Sequence, residues 1–201
     1  MANDQSKDSL PLSTETGQPQ LRPKTRDANR VHIEYVRQLE EHKTKILNFP
    51  LTILVWGPNE SSELYDTRID ILNALRATHN AIMSEDFTDL KSPLSIQHQG
   101  ELQANGAHAV FILCCSPGSI AEAACFASKR EIARKTVVFF DSAHDDGFFS
   151  DGPLRQLEAN GGVVIKYTSP SDITSGQLWR EVEEWIANLQ DTAYKLANQK
   201  P

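Results

Sequence analysis

Leu51–Trp56 reads LTILVW and Ala107–Cys114 reads AHAVFILC, two runs that are almost wholly apolar and rich in β-branched or aromatic residues. A strand of that kind is stable only with both faces covered, which is the situation of a parallel sheet enclosed between helices. Three further short segments have strand character: Asn80–Met83, Thr136–Asp141 and Val163–Tyr167. Helical patterns separate them, over Tyr65–Ala77, Leu94–Gly106, Ser119–Arg134 and Pro153–Asn160, and Gln177–Ala197 closes the chain. Strand and helix in strict alternation imply right-handed βαβ crossovers. The expectation is a single doubly wound α/β domain with a five-stranded parallel sheet, flavodoxin-like in the order 2-1-3-4-5.

The residues before this alternation differ in character. Residues 1–27 are rich in Ser, Thr, Gln, Pro and charge, with too little apolar surface to offset the entropy of ordering, and are expected to be disordered. Residues 28–48 read as a helix with a partial stripe of Val31, Tyr35, Leu39 and Ile46, suited to the domain edge or to a dimer contact. Residues 49–201 form the α/β domain.

Charge and cysteine usage narrow the function classes. A formal net charge of −7 argues against direct nucleic-acid binding, which draws on basic surface, but leaves room for a small nucleotide ligand. The three cysteines, Cys114, Cys115 and Cys125, form no spaced framework and no Cys-x-x-Cys, so neither disulfides nor a zinc site is expected. No metal or cofactor is implied. No signal-like or membrane-length apolar run occurs, and the expected location is the cytoplasm.

In doubly wound sheets, ligands sit beyond the carboxyl ends of the strands where the winding reverses, here between the first and third strands. That rule selects Gly57, Pro58 and Asn59 after the first strand, and Ser116–Glu122 after the third. Ser116-Pro117-Gly118-Ser119 entering a helix could cradle a phosphate or ribose through exposed N–H groups. Ser119-Ile120-Ala121-Glu122 also has the spacing of a capping box, in which Glu122 would reach back to the cap. The two roles are compatible, and a carboxylate there suits attack on a sugar carbon or the orientation of sugar hydroxyls. Arg68, one turn into the first crossover helix, could grip a phosphate bidentately or be a solvated surface arginine. Glu85 and Asp86, after the second strand, could bind hydroxyls or cap the next segment. Cys115 is either a thiolate near a helix start or a small apolar filler. His108, among apolar neighbours, reads as a strand histidine.

The segments WGPNESSELYDTR, MSEDF and HAVFILCCSPGSIAEAACFA, with the later TVVFFDSAHDDGFFSDGPLRQLEANGGVVIKY, resemble the nucleoside 2-deoxyribosyltransferase-like proteins. They look closest to the branch serving as effectors of bacterial retron and related anti-phage systems. The resemblance covers roughly residues 50–190. It implies a flavodoxin-like fold, cleavage of an N-glycosidic bond in a nucleotide or nucleoside, and a homo-oligomer. It makes Glu122 the catalytic carboxylate; around it, the position of the crevice makes Gly57, Pro58, Asn59, Arg68, Glu85, Asp86, Ser116, Gly118 and Ser119 the expected substrate contacts. The transferases carry an acidic residue just before the glycine turn, where this chain has Cys115 and Ser116. That departure favours hydrolysis of a nucleotide over transfer between free nucleosides; the alternative is a sensor module of the same fold that binds a nucleotide in this crevice without cleaving it.

Overall fold

The computed structural model of the chain describes residues 24–199. The polar arm expected to be disordered lies mostly outside them, and its last four residues, Lys24–Asp27, already belong to a helix, α1 (Lys24–Leu47). Two compact units divide the chain after Glu41. In the first, Val31, Tyr35 and Leu39 are exposed along α1, where Glu34, Arg37 and Glu41 form ion pairs at helical spacing.

The second unit is the α/β domain. Its strands are β1 (Thr52–Trp56), β2 (Asn80–Met83), β3 (Ala109–Cys114), β4 (Thr136–Asp141) and β5 (Val163–Tyr167). They form one five-stranded sheet in the order 2-1-3-4-5 with every pairing parallel, as the alternation predicts. The helices are α2 (Tyr65–Arg76), α3 (Ile96–Gly106), α4 (Pro117–Ala127), α5 (Arg130–Ala133), α6 (Arg155–Ala159) and α7 (Gly176–Asn198).

Because side chains alternate across a strand, β1 and β3 feed two separate cores. Ile53, Val55, Phe111 and Leu113 face one way, against Ile71, Leu72 and Leu75 of α2 and Val182 and Ile186 of α7. Leu54, Trp56, Val110 and Ile112 face the other way, against Ala123, Phe126 and Ala127 of α4, Ile132 of α5 and Leu157 of α6. Every side chain of β3 is buried, which explains its unbroken apolar run.

Two local features fix the frame. Gln190 of α7 is buried and donates from Nε2 to the carbonyls of Leu47 and Phe49 at 2.8 and 2.9 Å, pinning the segment that leads into β1. His108, just before β3, accepts the Thr52 N–H on Nδ1 at 2.9 Å, and burial holds its pKa below the ordinary imidazole value. It is a structural histidine that ties β1 to the start of β3.

The expected single helix over Ser119–Arg134 is two. Ser128 and Lys129 interrupt it, and the Ser128 hydroxyl donates to the Cys125 carbonyl at 2.9 Å as α4 ends. A serine that bonds the backbone of the preceding turn competes with helix continuation.

Candidate functional site

The first turn of α4 determines which carboxylate faces the ligand crevice. Pro117 occupies the first helical position, where its missing N–H costs nothing, so the helix starts earlier than a Ser119 cap requires. Ser116 is the cap: its Oγ accepts the Ser119 N–H at 3.2 Å. Ser119 answers by accepting the Ser116 and Cys115 N–H groups on its own Oγ, at 3.0 and 3.1 Å. The capping box therefore runs from Ser116 to Ser119, and the expected Ser119–Glu122 box does not form. Glu122 falls in the second turn with no capping duty. The same bonds occupy the N–H groups of Cys115, Ser116 and Ser119, which the phosphate-cradle reading needed free.

Glu122 borders a hollow of about 530 Å³ at the carboxyl ends of β1 and β2, within the size range of small-molecule sites. Trp56 and Phe126, edge to face at 5.5 Å between ring centres, form part of its apolar wall. The polar lining includes Asn59, Gln97, Gln103, Arg68, Glu85 and Glu122, with the hydroxyls of Ser84 and Thr88. Burial pushes the Glu122 carboxyl up to about 7; Arg68 opposes this shift and the Glu85 charge adds to it.

Arg68 is fully buried, not a surface residue. Its Nη1 and Nη2 donate to the two carboxylate oxygens of Glu85 at 2.6 and 2.5 Å, and also to the carbonyls of Pro58 and Val55 at 3.1 and 2.7 Å. With its fork filled, Arg68 has no bidentate face left for a phosphate; the ion pair forms because a buried guanidinium needs a local counter-charge. Burial tends to raise the Glu85 carboxyl, but bonds from Arg68, its own backbone N–H and Ser84 outweigh that and hold it below the usual carboxylate range. The pair of carboxyls is thereby split, with Glu85 ionised and engaged while Glu122 titrates near neutrality without a hydrogen-bonded partner among the described residues. Environments that push two titratable groups apart in this way are characteristic of catalytic sites.

Gly57 makes this arrangement possible, since a Cβ there would meet Arg68 Cδ at 3.0 Å and Leu113 Cβ at 3.2 Å. Of the positions selected from sequence, Gly57, Asn59, Arg68, Glu85 and Glu122 converge on the hollow. Pro58 is buried beneath it and contributes its carbonyl to Arg68. Asp86 is exposed on the 3-10 turn Ser84–Phe87 and does not border it; nor do Ser116, Gly118 and Ser119, whose part is to shape the start of α4.

Gln97 and Gln103 join the lining as well, outside the positions that the strand-end rule selects. Both lie on α3 and face the hollow, and the Oε1 of Gln103 is buried without a partner. The signal was the glutamine-rich face of that helix, which a search for apolar periodicity passes over. A third glutamine, Gln99, bonds to Asp89 and Leu94 at 2.9–3.0 Å through both ends of its amide and fastens the loop that carries Thr88 and Leu90 to the rim.

The family model described as STM3845 retron effector protein matches residues 65–200, well over half of the chain. The chain belongs to the STM3845 retron effector family. The matched region of this retron effector includes Arg68, Glu85, Gln97, Gln103 and Glu122, and it stops short of Trp56, Gly57 and Asn59. No curated protein matches the chain. Among the described residues of the retron effector, no helix is long and apolar enough to cross a membrane, and no cluster of His, Cys, Asp and Glu is suited to a metal ion.

Proposed function

We propose that the Glu122 hollow binds a nucleotide or nucleoside derivative and cleaves its N-glycosidic bond, and that this cleavage is how the retron effector acts against phage. One observation carries the reading: Glu122 is a largely buried carboxyl with a pKa of about 7, beside an aromatic wall and next to a carboxylate that Arg68 already neutralises.

Glycosidic cleavage passes through a transition state with positive charge at the anomeric carbon, and a carboxylate in a shielded hollow stabilises that charge strongly. Ionised Glu122 attacks the anomeric carbon while the carbon–nitrogen bond breaks, its electron pair leaving with the base, which takes up a proton from solvent water. Water then hydrolyses the glycosyl ester and restores the carboxylate. Trp56 and Phe126 offer apolar contact to a base or sugar face, and the amides of Asn59, Gln97 and Gln103 offer hydrogen bonds to hydroxyls or to a base edge. Arg68 acts through Glu85, as a positioning residue.

The lining contains no cation other than Arg68. A substrate phosphate would therefore lie outside the hollow, with the sugar and base inside. The similarity to nucleoside 2-deoxyribosyltransferase-like proteins at the Ser116–Glu122 segment supports the same reading.

The test is incubation of the purified protein with NAD, nucleotides and deoxynucleosides, with mass spectrometry for released base. Base released by the native chain and not by Glu122→Gln supports the proposal. Absence of free base from every member of the pool overturns it.

A further inference from the structure

A second hollow, also about 530 Å³, lies at the carboxyl ends of β3, β4 and β5 and shares no lining residue with the first. Its walls are aromatic. Phe140 is buried, Phe149 is partly buried, and Phe148 is 89% exposed, a ring face with no packing to occupy it. An exposed aromatic face beside a cavity is available to stack on a planar ligand.

The polar groups here have a definite sign. Asp141 and Asp146 border the hollow; no lysine or arginine does, and His144 is the one basic side chain in its lining, so the hollow disfavours a phosphate or carboxylate. Tyr167 ends β5 opposite Asp141 at the end of β4. The Tyr167 side chain is 1% exposed and lines the hollow, yet its hydroxyl has no hydrogen-bond partner. A buried hydroxyl is nearly always satisfied, so one without a partner, on a side chain that lines a cavity, is a donor still in want of an acceptor. Asp141 has one oxygen on the Ala143 N–H at 2.8 Å, leaving the other to accept a second donor.

We propose that this hollow is a second ligand site that takes a flat heteroaromatic ring bearing an amino group, the chemistry of an aminated nucleobase. The ring stacks on Phe148, its amino N–H donates to Asp141, and the Tyr167 hydroxyl donates to a ring nitrogen. Aromatic walls select a planar ring, the carboxylate selects a donor over a carbonyl at the ring edge, and two aspartates without a lysine or arginine disfavour a ligand held by its phosphate. The inference does not rest on Glu122.

Two thiols report on the hollows separately, since Cys115 lines the second and Cys125 the first. The experiment measures iodoacetamide labelling of each cysteine by peptide mass spectrometry, with adenosine or inosine present; inosine carries a carbonyl where adenosine carries the amino group. Saturating adenosine is expected to slow Cys115 labelling by about tenfold, as mass action dictates for an occupied site. Inosine protects much less. Tyr167→Phe and Asp141→Asn, each removing one polar function while keeping the side-chain shape, lose the protection. Glu122→Gln retains it and also excludes turnover as the cause. Protection of Cys125 alone, of neither thiol, or equally by both nucleosides overturns the proposal. Cys115 protection in a protein that releases no base from any substrate overturns the catalytic reading alone.

Discussion

Arg68, fully buried on α2, is joined through both terminal nitrogens to Glu85, whose side chain remains half exposed at the end of β2. The ion pair therefore has one dry end and one wet end. The dry end depends on the carboxylate more than the wet end depends on the guanidinium, because a buried charge left alone carries a large desolvation cost. Glu85→Gln is expected to destabilise the fold by about 1–3 kcal/mol, after allowance for solvent screening at the exposed carboxylate. Urea unfolding of the two proteins measures the difference.

The same substitution shifts the titration of Glu122. Glu85 contributes to holding that carboxyl high, so its removal leaves burial and the opposing charge of Arg68. The Glu122 pKa is expected to fall below about 7. In the native protein, base release should rise with pH through about 7 as the nucleophile ionises, and in Glu85→Gln the rising limb should move to lower pH. A profile that falls through neutrality would instead assign Glu122 to protonating the departing base.

Glu122→Gln should abolish base release, by at least about a hundredfold for loss of a covalent nucleophile. It should also stabilise the protein in alkaline solution. The folded pKa of Glu122 lies above its unfolded value, so its contribution is fully present below the unfolded pKa and lost as pH rises through about 7. Above that, the native protein holds a poorly solvated charge that the amide lacks. Thermal unfolding at pH 8 is expected to show a higher Tm for the variant, with the gap closing near pH 4.

Gly57→Ala places a methyl group 3.0 Å from Arg68 Cδ and 3.2 Å from Leu113 Cβ. Leu113 sits in the buried centre of the sheet and cannot move away, so Arg68 must shift. The expected result is weaker substrate binding and a stability loss of about 1–3 kcal/mol, the usual range for overpacking. Calorimetric binding and urea unfolding measure the two effects.

Gln190→Leu removes the donor shared by the Leu47 and Phe49 carbonyls. A loss of about 1–3 kcal/mol is expected from the unsatisfied groups, with base release unchanged at permissive temperature. A comparable loss of activity would show that α7 acts on the hollow from across the sheet.

The sheet order was readable because each strand has its own apolar run and Gly, Pro, Asn or Asp residues mark most of the breaks; Ala107–Cys114 in particular has no stable alternative to a buried strand. The hollow was readable as a location, since the point where the winding reverses depends only on strand order. Its chemistry was less so. Arg68 looked like any helix arginine, and nothing local to α2 signals a guanidinium turned inward onto Glu85, seventeen residues later. The helix start was misplaced by one turn because Ser116 and Ser119 both have cap chemistry, and Pro117 favours the earlier of them. Gln103 belongs to a glutamine-rich helix face, but nothing local sets it apart from its neighbours; its meaning arises from burial against an open cavity.

The reciprocal hydroxyl bonds between Ser116 and Ser119 bear on how this architecture can change. Since two serines complete the entry to α4 by themselves, the acidic side chain a turn later is unnecessary to the scaffold. On the proposed function, a single codon change there would leave a correctly shaped molecule without its nucleophile, a loss that conformational quality control would not detect.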